Sequence, residues 1–343
     1  MPAARWQAGR LAEDIARVGT RALPREEYFR ELAARLRRAV DYDAVCWHTL
    51  DPETRLMTSD FSEDLIESGV YTPEGAQAAG RGIVASEYLT GDGNTFAGLA
   101  RRRVPAARLP AKAKLESTRY RDVLEPSGIP FELRGAFVTR GRAWGAVHVA
   151  RREERGDFSD TDVATLARIA PVVAEGIRAS LRFDAARRAG SSGPGLVVLG
   201  PRNDVELITE PAHELLDEMR SALITEEIPT AMRALAASTR MGTSPNAVAV
   251  PGRDGWVTLH ASLPEGPGAG RVAVVLDRTA GPHSAALRLE TYGVTARERE
   301  VAALIAQGCS NAEIAAALVV SPYTVQDHTK SLFEKTGVSS RRE

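Results

Sequence analysis

The sequence predicts an α+β chain of three segments, two built on antiparallel sheets with packed helices and a third made only of helices. Three observations carry this. Gly, Ser and Pro cluster at Ala189-Gly190-Ser191-Ser192-Gly193-Pro194-Gly195 and again from Thr279 through Gly281-Pro282. Such stretches bury little and favour turns, so they divide the 343 residues into about 1–188, 195–279 and 287–343. The strand signals of the first two segments come in hairpin-like groups, not in an alternating strand–helix series. The last segment shows three capped helical patterns with two tight junctions.

In the first segment, Phe29, Leu32, Ala33, Leu36 and Val40 recur at helical spacing, which predicts a helix from Arg25 to Val40. Strands follow over 43–50 and 56–61, then a mainly helical middle. A hairpin is expected over 133–139 and 143–150, joined through Arg140-Gly141-Arg142. A long closing helix starts where Ser159 and Asp162 form a capping box, with Phe158 and Val163 as its hydrophobic staple. Its stripe is Val163, Leu166, Ile169, Ala170, Val173, Ile177 and Leu181, and Pro171 is expected to kink it. This layout resembles a GAF domain, on Tyr42-Asp43-Ala44-Val45, the strand Trp144-Gly145-Ala146-Val147-His148-Val149, and Phe158-Ser159 before the closing helix. Residues 1–188 hold apolar stripes and strands of their own and are expected to fold alone.

The second segment reads as strands over 196–199 and 205–208, helices over 210–219 and near 230–240, and strands over 247–250, 256–263 and 271–276. Two strands, helices and three strands resemble a PAS domain, on Asn203-Asp204, Thr209-Glu210-Pro211-Ala212 and the Asp254-Gly255-Trp256 turn.

The last 49 residues are the most informative. Thr295 with Glu298 and Ser310 with Glu313 each form a capping box. Gly308 suits the left-handed position that ends the first helix. Ser321 caps a third helix with Pro322 at its first position, and Gly337 ends it. Val301, Leu304 and Ile305 are the buried side of the first helix, and Ile314, Ala315 and Leu318 that of the second. Three short helices with two tight junctions make a helix-turn-helix by spacing alone. On the third helix, Val325, Leu332 and Phe333, with His328 at the edge, face inward. Tyr323, Gln326, Asp327, Lys330 and Glu334 fall on another side, which is the outward row that reading base edges in a major groove requires.

This segment closely resembles the LuxR/FixJ-type DNA-binding domain. The matching string is Thr295 to Val301, Gly308-Cys309-Ser310-Asn311-Ala312-Glu313-Ile314-Ala315, Ser321 to His328, and Lys335-Thr336-Gly337-Val338-Ser339-Ser340-Arg341. The resemblance implies that Gln326, Asp327 and Lys330 approach bases, while Ser321, Tyr323, Thr324, Lys335 and Arg341 lie near phosphates. It implies double-stranded DNA as partner and a homodimer that supplies affinity and half-site symmetry. Two features depart from the pattern. Residues 287–343 hold seven acids and seven bases, so the segment is not basic overall. The family also continues into a fourth helix, whereas this sequence stops at Glu343, at the threshold of one.

Composition narrows the rest. Apolar residues are 43% and charged residues 26%, which excludes a disordered or fibrous chain. No stretch approaches the ~18 consecutive apolar residues of a membrane span. The N-terminus lacks the apolar run of a secretory signal. Cys46 and Cys309 make no disulfide framework. A cytoplasmic bacterial protein that does not engage a membrane is expected. Residues 51–92 hold nine acids and two bases, and residues 95–155 fourteen bases and six acids. Complementary faces of one domain and a docking surface for a polyanion both account for that split. Cys46 and His48 share a strand face but supply too few ligands for a metal or haem, and read as packing. His148 and His260 read the same way. Gly91-Asp92-Gly93-Asn94 is a turn without the flanks of a phosphate loop. No catalytic constellation and no cofactor signal are present, so the chain is read as no enzyme. The expectation is a transcriptional regulator whose GAF-like or PAS-like domain binds a small-molecule signal. The rival is a ligand- or partner-binding sensory protein whose head binds DNA weakly or not at all.

Overall fold

A computed structural model describes the chain apart from residues 1, 22, 63–68, 186–192, 220–227, 244–245, 253–254, 265–269, 279–288, 339 and 341–343. Most of the Ala189–Gly195 break, the break after Thr279, Asp254 of the second segment's turn and Arg341 lie outside the described residues. The chain divides into two compact units, Met1–Thr279 and Ala280–Glu343.

The first unit contains two five-stranded antiparallel sheets. One takes β1 (Ala44–Leu50), β2 (Met57–Ser62), β3 (Ala106–Arg108), β4 (Phe131–Thr139) and β5 (Arg142–Arg151), in the order β2-β1-β5-β4-β3. The other takes β6 (Gly195–Leu199), β7 (Val205–Ile208), β8 (Ala247–Gly252), β9 (Gly255–Ser262) and β10 (Val272–Asp277), in the order β7-β6-β10-β9-β8. Every strand anticipated in the sequence forms, with ends shifted by one or two residues; β3 alone was not foreseen.

Helices α1 (Pro2–Gly19), α2 (Arg25–Leu36) and α6 (Asp160–Ala185) cover one face of the first sheet. Trp47 on β1 stacks on Phe29 of α2 and on Phe137 of β4, with ring centroids 5.9 and 5.8 Å apart. Backbone and helix come close here. A Cβ at Gly145 would stand 2.6 Å from the Ile177 side chain and 2.6 Å from the His48 carbonyl, so only glycine fits. The capping box of α6 forms as the sequence predicts: Asp162 accepts from the Ser159 amide at 2.8 Å, and Ser159 Oγ accepts from the Asp162 amide at 3.2 Å. Helix α6 runs on through Pro171 to Ala185. Helix α1, which the sequence reading did not foresee, packs along α6 with Ile15 and Val18 buried.

The opposite face is covered by α3 (Pro73–Tyr88) and α4 (Phe96–Leu99), with the single turn α5 (Ala111–Lys114) and a π-helical turn at Tyr120–Leu124 beyond. Helices α7 (Glu210–Met219) and α8 (Thr230–Arg240) cover the second sheet. Helix α8 also packs on β2 and α3, and Leu56 and Tyr88 of the first segment join the second sheet's apolar core. The two sheets are therefore layers of one body.

The second unit contains α9 (Ala296–Ala306), α10 (Asn311–Leu318) and α11 (Pro322–Thr336). Val301, Ile314, Ala315 and Val325 form its core, with Leu304, Ile305 and Leu318 half-buried at its edge.

Candidate nucleic-acid interface

The outer face of α11 is fixed by local chemistry. Both expected capping boxes are present: Thr295 with Glu298 starts α9, and Ser310 with Glu313 starts α10. Ser321 Oγ accepts from the Thr324 amide at 3.1 Å and starts α11, with Pro322 in its first turn. Gly308 and Gly337 adopt φ of +84° and +74°, the left-handed stops that the sequence places there.

The junction between α10 and α11 is different. Val319 takes φ 54°, ψ 51° and is 90% exposed. A β-branched side chain in the left-handed region is strained by about 1–2 kcal/mol, and no glycine marks the spot in the sequence. The tight turn that sets α11 against α10 is held against that strain by the Val320 amide, which donates to Ala315 O at 3.0 Å.

Glu298 ties α9 to α11. Its carboxylate, 5% exposed, accepts from Lys335 Nζ at 2.6 and 2.7 Å, from Ser331 Oγ at 2.6 Å and from the Thr295 amide at 2.7 Å. Burial opposes its charge, but the bonds from Lys335, Ser331 and Thr295 outweigh it and hold the carboxyl down to about 2. Sequence reasoning gave Glu298 only its capping role. The Lys335 ammonium, expected near phosphate, is directed to this buried acid.

The outward row forms as spaced. Tyr323, Gln326, Asp327, Lys330 and Glu334 are all exposed, Tyr323 by 81%. Val325, Thr329 and Leu332 turn inward. Phe333, expected in the core, is half-buried. With Gln326, Asp327, Lys330, Glu334 and Asn311 it lines a shallow concavity of about 710 Å³ along the helix. Lys330 Nζ lies 4.0 Å from Glu334 one turn on, a solvated pair that holds it weakly. Ser321 and Thr324 sit at the start of α11, on either side of Tyr323 in the chain. Among the described residues, no group of three or more His, Cys, Asp or Glu is arranged to hold a metal ion, and no helix is long and apolar enough to cross a membrane.

Comparison with known proteins bears on this segment. Residues 293–343 match the family described as bacterial regulatory proteins, luxR family. The probable transcriptional regulatory protein SgaR of Hyphomicrobium methylovorum is 50% identical over 48 residues, 14% of this chain and 23% of SgaR. The match thus spans less than a quarter of that relative's length. Among solved structures, SdiA in complex with octanoyl-rac-glycerol aligns over 98% of this chain and 91% of its own, at 13% identity and a TM-score of 0.30. The phage VqmA–DPO complex aligns over 48% of this chain and 84% of its own (17% identity, TM-score 0.20). The DhaR(N)–DhaL complex of E. coli aligns over 79% and 88% (13% identity, TM-score 0.25). At these TM-scores the superpositions carry no argument. Capping boxes, glycine stops, outward row and family match agree: residues 293–343 are a LuxR-family helix-turn-helix domain.

Proposed function

We propose that the protein is a sequence-specific DNA-binding transcriptional regulator, and not an enzyme, controlled by a signal received in its sheet-bearing unit. The observation that carries this is the exposed row Gln326, Asp327 and Lys330 on α11, held outward by two capped helices. In this reading Gln326 and Lys330 reach base-edge acceptors, and Asp327 accepts from a cytosine amino group or orients Lys330. Ser321, Tyr323, Thr324 and Arg341 meet phosphates. Lys335 joins them only by releasing Glu298. Two heads on a homodimer would read half-sites about 34–36 Å apart. Strands, helices, hairpin and closing helix in order support the GAF-like reading of residues 1–188. Two strands, two helices and three strands support the PAS-like reading of 195–279.

The test is selection of bound sequences from random DNA by the full chain, followed by titration of the selected site. Lys330→Ala is expected to weaken that site by about 1–3 kcal/mol at fixed salt. Glu334→Ala is expected to leave affinity unchanged or raise it slightly, since it releases Lys330. Equal affinity for selected and scrambled DNA would sink the reading. The commitment of Lys335 to Glu298 and the even charge of 287–343 favour one alternative, a sensory protein whose head binds DNA weakly or not at all. Micromolar or weaker binding, insensitive to Lys330→Ala, is its signature.

A further inference from the structure

The outward row of α11 carries more acid than base. Gln326, Asp327, Lys330 and Glu334 bring two carboxylates and one ammonium, and all four are exposed. Phosphates line both walls of a DNA groove, so a carboxylate carried between them is repelled unless it meets a hydrogen-bond donor there. Such a row fits duplex DNA at few sequences, and the placement of its two acids says which.

The two acids stand differently. Glu334, in the second half of α11, is turned to Lys330 at 4.0 Å. Asp327 lies in the first half of the helix, the part of a recognition helix that reaches base edges. Its side chain makes no ion pair and no hydrogen bond among the described residues, and Lys330 leans to Glu334, not to Asp327. Asp327 therefore does not orient Lys330. Both of its oxygens are open, and they are acceptors only. Asp327, Gln326 and Lys330 line the same shallow concavity, so one ligand meets all three.

The major groove offers such an acceptor little choice. Guanine presents O6 and N7 and thymine presents O4, so both turn lone pairs towards a carboxylate and repel it. Adenine offers its N6 amino group, but N7 lies beside it and repels the second oxygen. Cytosine offers its N4 amino group with no acceptor at its side. A carboxylate here selects mainly by what it refuses. Lys330 is donor only, and guanine's O6 and N7 are its best partner. Three residues along a helix rise about 4.5 Å, close to the base-pair step of about 3.4 Å, so Asp327 and Lys330 face neighbouring base pairs.

We propose that Asp327 is the specificity-determining residue of the head, and that it selects a cytosine through its N4 amino group beside a base pair whose guanine is read by Lys330. This rests on the regulator reading above and decides between the two roles left open there for Asp327. It also gives the even charge of residues 287–343 a purpose. A head with as many acids as bases gains little from phosphates alone, so most of its affinity must come from the right bases. Replacing the groove-facing N4 hydrogen of that cytosine by a methyl group removes the donor and leaves the carboxylate unanswered.

The test uses the full chain and the duplex it selects from random DNA. The selected half-site is expected to hold a cytosine, beside a G·C pair, at which any other base lowers affinity about tenfold or more. A duplex with N4-methylcytosine at that position is expected to lose as much, and one with N4-methylcytosine outside the half-sites to lose nothing. Asp327→Ala is expected to bind duplexes with each of the four bases there within about threefold of one another, and to be indifferent to the N4-methyl group. Asp327→Asn is expected to prefer adenine at that position, since an amide bonds N6 and N7 together. Asp327 is exposed and unbonded in the free head, so both variants keep the fold. A selected site without a cytosine, wild-type affinity indifferent to the N4-methyl group, or an Asp327→Ala protein that keeps the wild-type preference would each overturn the proposal. If the selected site is still weakened by Lys330→Ala, only the assignment of Asp327 falls and the regulator reading stands. Equal binding of every sequence by the wild type sinks both.

Discussion

The sheets β2-β1-β5-β4-β3 and β7-β6-β10-β9-β8 are threaded in the same order, but their helix-covered faces bury different chemistry. Under α7 and α8 the second sheet presents Val197, Leu199, Val248, Val257, Leu259 and Val274, all buried and apolar. Under α3 and α4 the first sheet presents Arg134, Glu132, His48 and His148, joined there by Arg119 and Glu87. Strand order thus leaves the character of a core open, and the side chains at inward positions decide it. Buried ion pairs roughly break even against apolar packing, so the first sheet draws its stability from apolar clusters on both faces: Trp47, Phe29 and Phe137 stack on one, and Leu50, Met57, Ala136 and Ala146 pack with Ile83, Val84 and Leu99 on the other.

The largest expected effect comes from breaking the charged core. Arg119 bonds Glu132 and the Gly93 carbonyl, the latter at 3.2 Å, and is wholly buried. Arg119→Met strands a buried carboxylate and should cost about 3–5 kcal/mol by denaturant unfolding at neutral pH. Adding Glu132→Met should recover much of that loss. If the double variant is no more stable than the single one, the pair is not the unit described.

The next effect depends on pH. Burial, the larger cause, together with the neighbouring Arg134 holds His148 down to about 3, and His48 also lies well below its ordinary value of 6.5. Groups facing them include Arg134 and Glu132 on β4 and Glu87 on α3. As pH falls, the unfolded chain takes up these protons first, so stability is whole above about 6.5 and is lost towards 3. The loss should be on the order of 2–4 kcal/mol by about pH 4. Asp60, raised by burial beneath α8, works in the opposite direction, so the comparison is between the wild type and the His48→Gln/His148→Gln variant. Equal acid sensitivity in the two would remove the histidines from the account. Val274→Ala in the second core should cost about 2 kcal/mol with no such pH dependence, from two lost methyl groups and the cavity they leave.

The same contrast explains what could be read from sequence. Elements that close on themselves were legible: the Arg140-Gly141-Arg142 hairpin, and the boxes Ser159/Asp162, Thr295/Glu298 and Ser310/Glu313. Each needs only residues a few positions apart. The outward row of α11 was legible for that reason too. The charged core was not, because Glu87, Arg119, Glu132 and Arg134 meet only through the fold. One signal was available. Glu132 and Arg134 flank Leu133 in a strand, and charges at alternate positions of a central strand must be paired if both faces are covered. Helix α1 escaped because its few buried apolar residues, among them Ile15 and Val18, are spread among charges. The left-handed Val319 escaped because no glycine marks the turn, which is closed by the Val320 amide bonding Ala315 O against the residue's own preference. Lys335 carried a motif position but not its partner, since Glu298 lies a whole domain core away in sequence.

The smallest effect concerns the faces turned away from the helices. The first sheet has helices on both sides. The second leaves Leu207 and Val275 exposed, by 47% and 41%, on the side away from α7 and α8. Leu196 and Val198 stand half-buried across the strands from them, paired with Val275 and Leu207. A leucine already in water has little to lose on replacement, and surface substitutions usually stay within about 0.5 kcal/mol. Leu207→Ser should therefore change stability by less than about 0.5 kcal/mol at any protein concentration, if this side faces solvent in solution. A larger loss that grows with protein concentration would mean that a second copy covers the sheet, because burial at an interface stabilises by mass action. That result would make the two sheets alike after all, each closed on both sides, with the second completed by a partner instead of by its own helices.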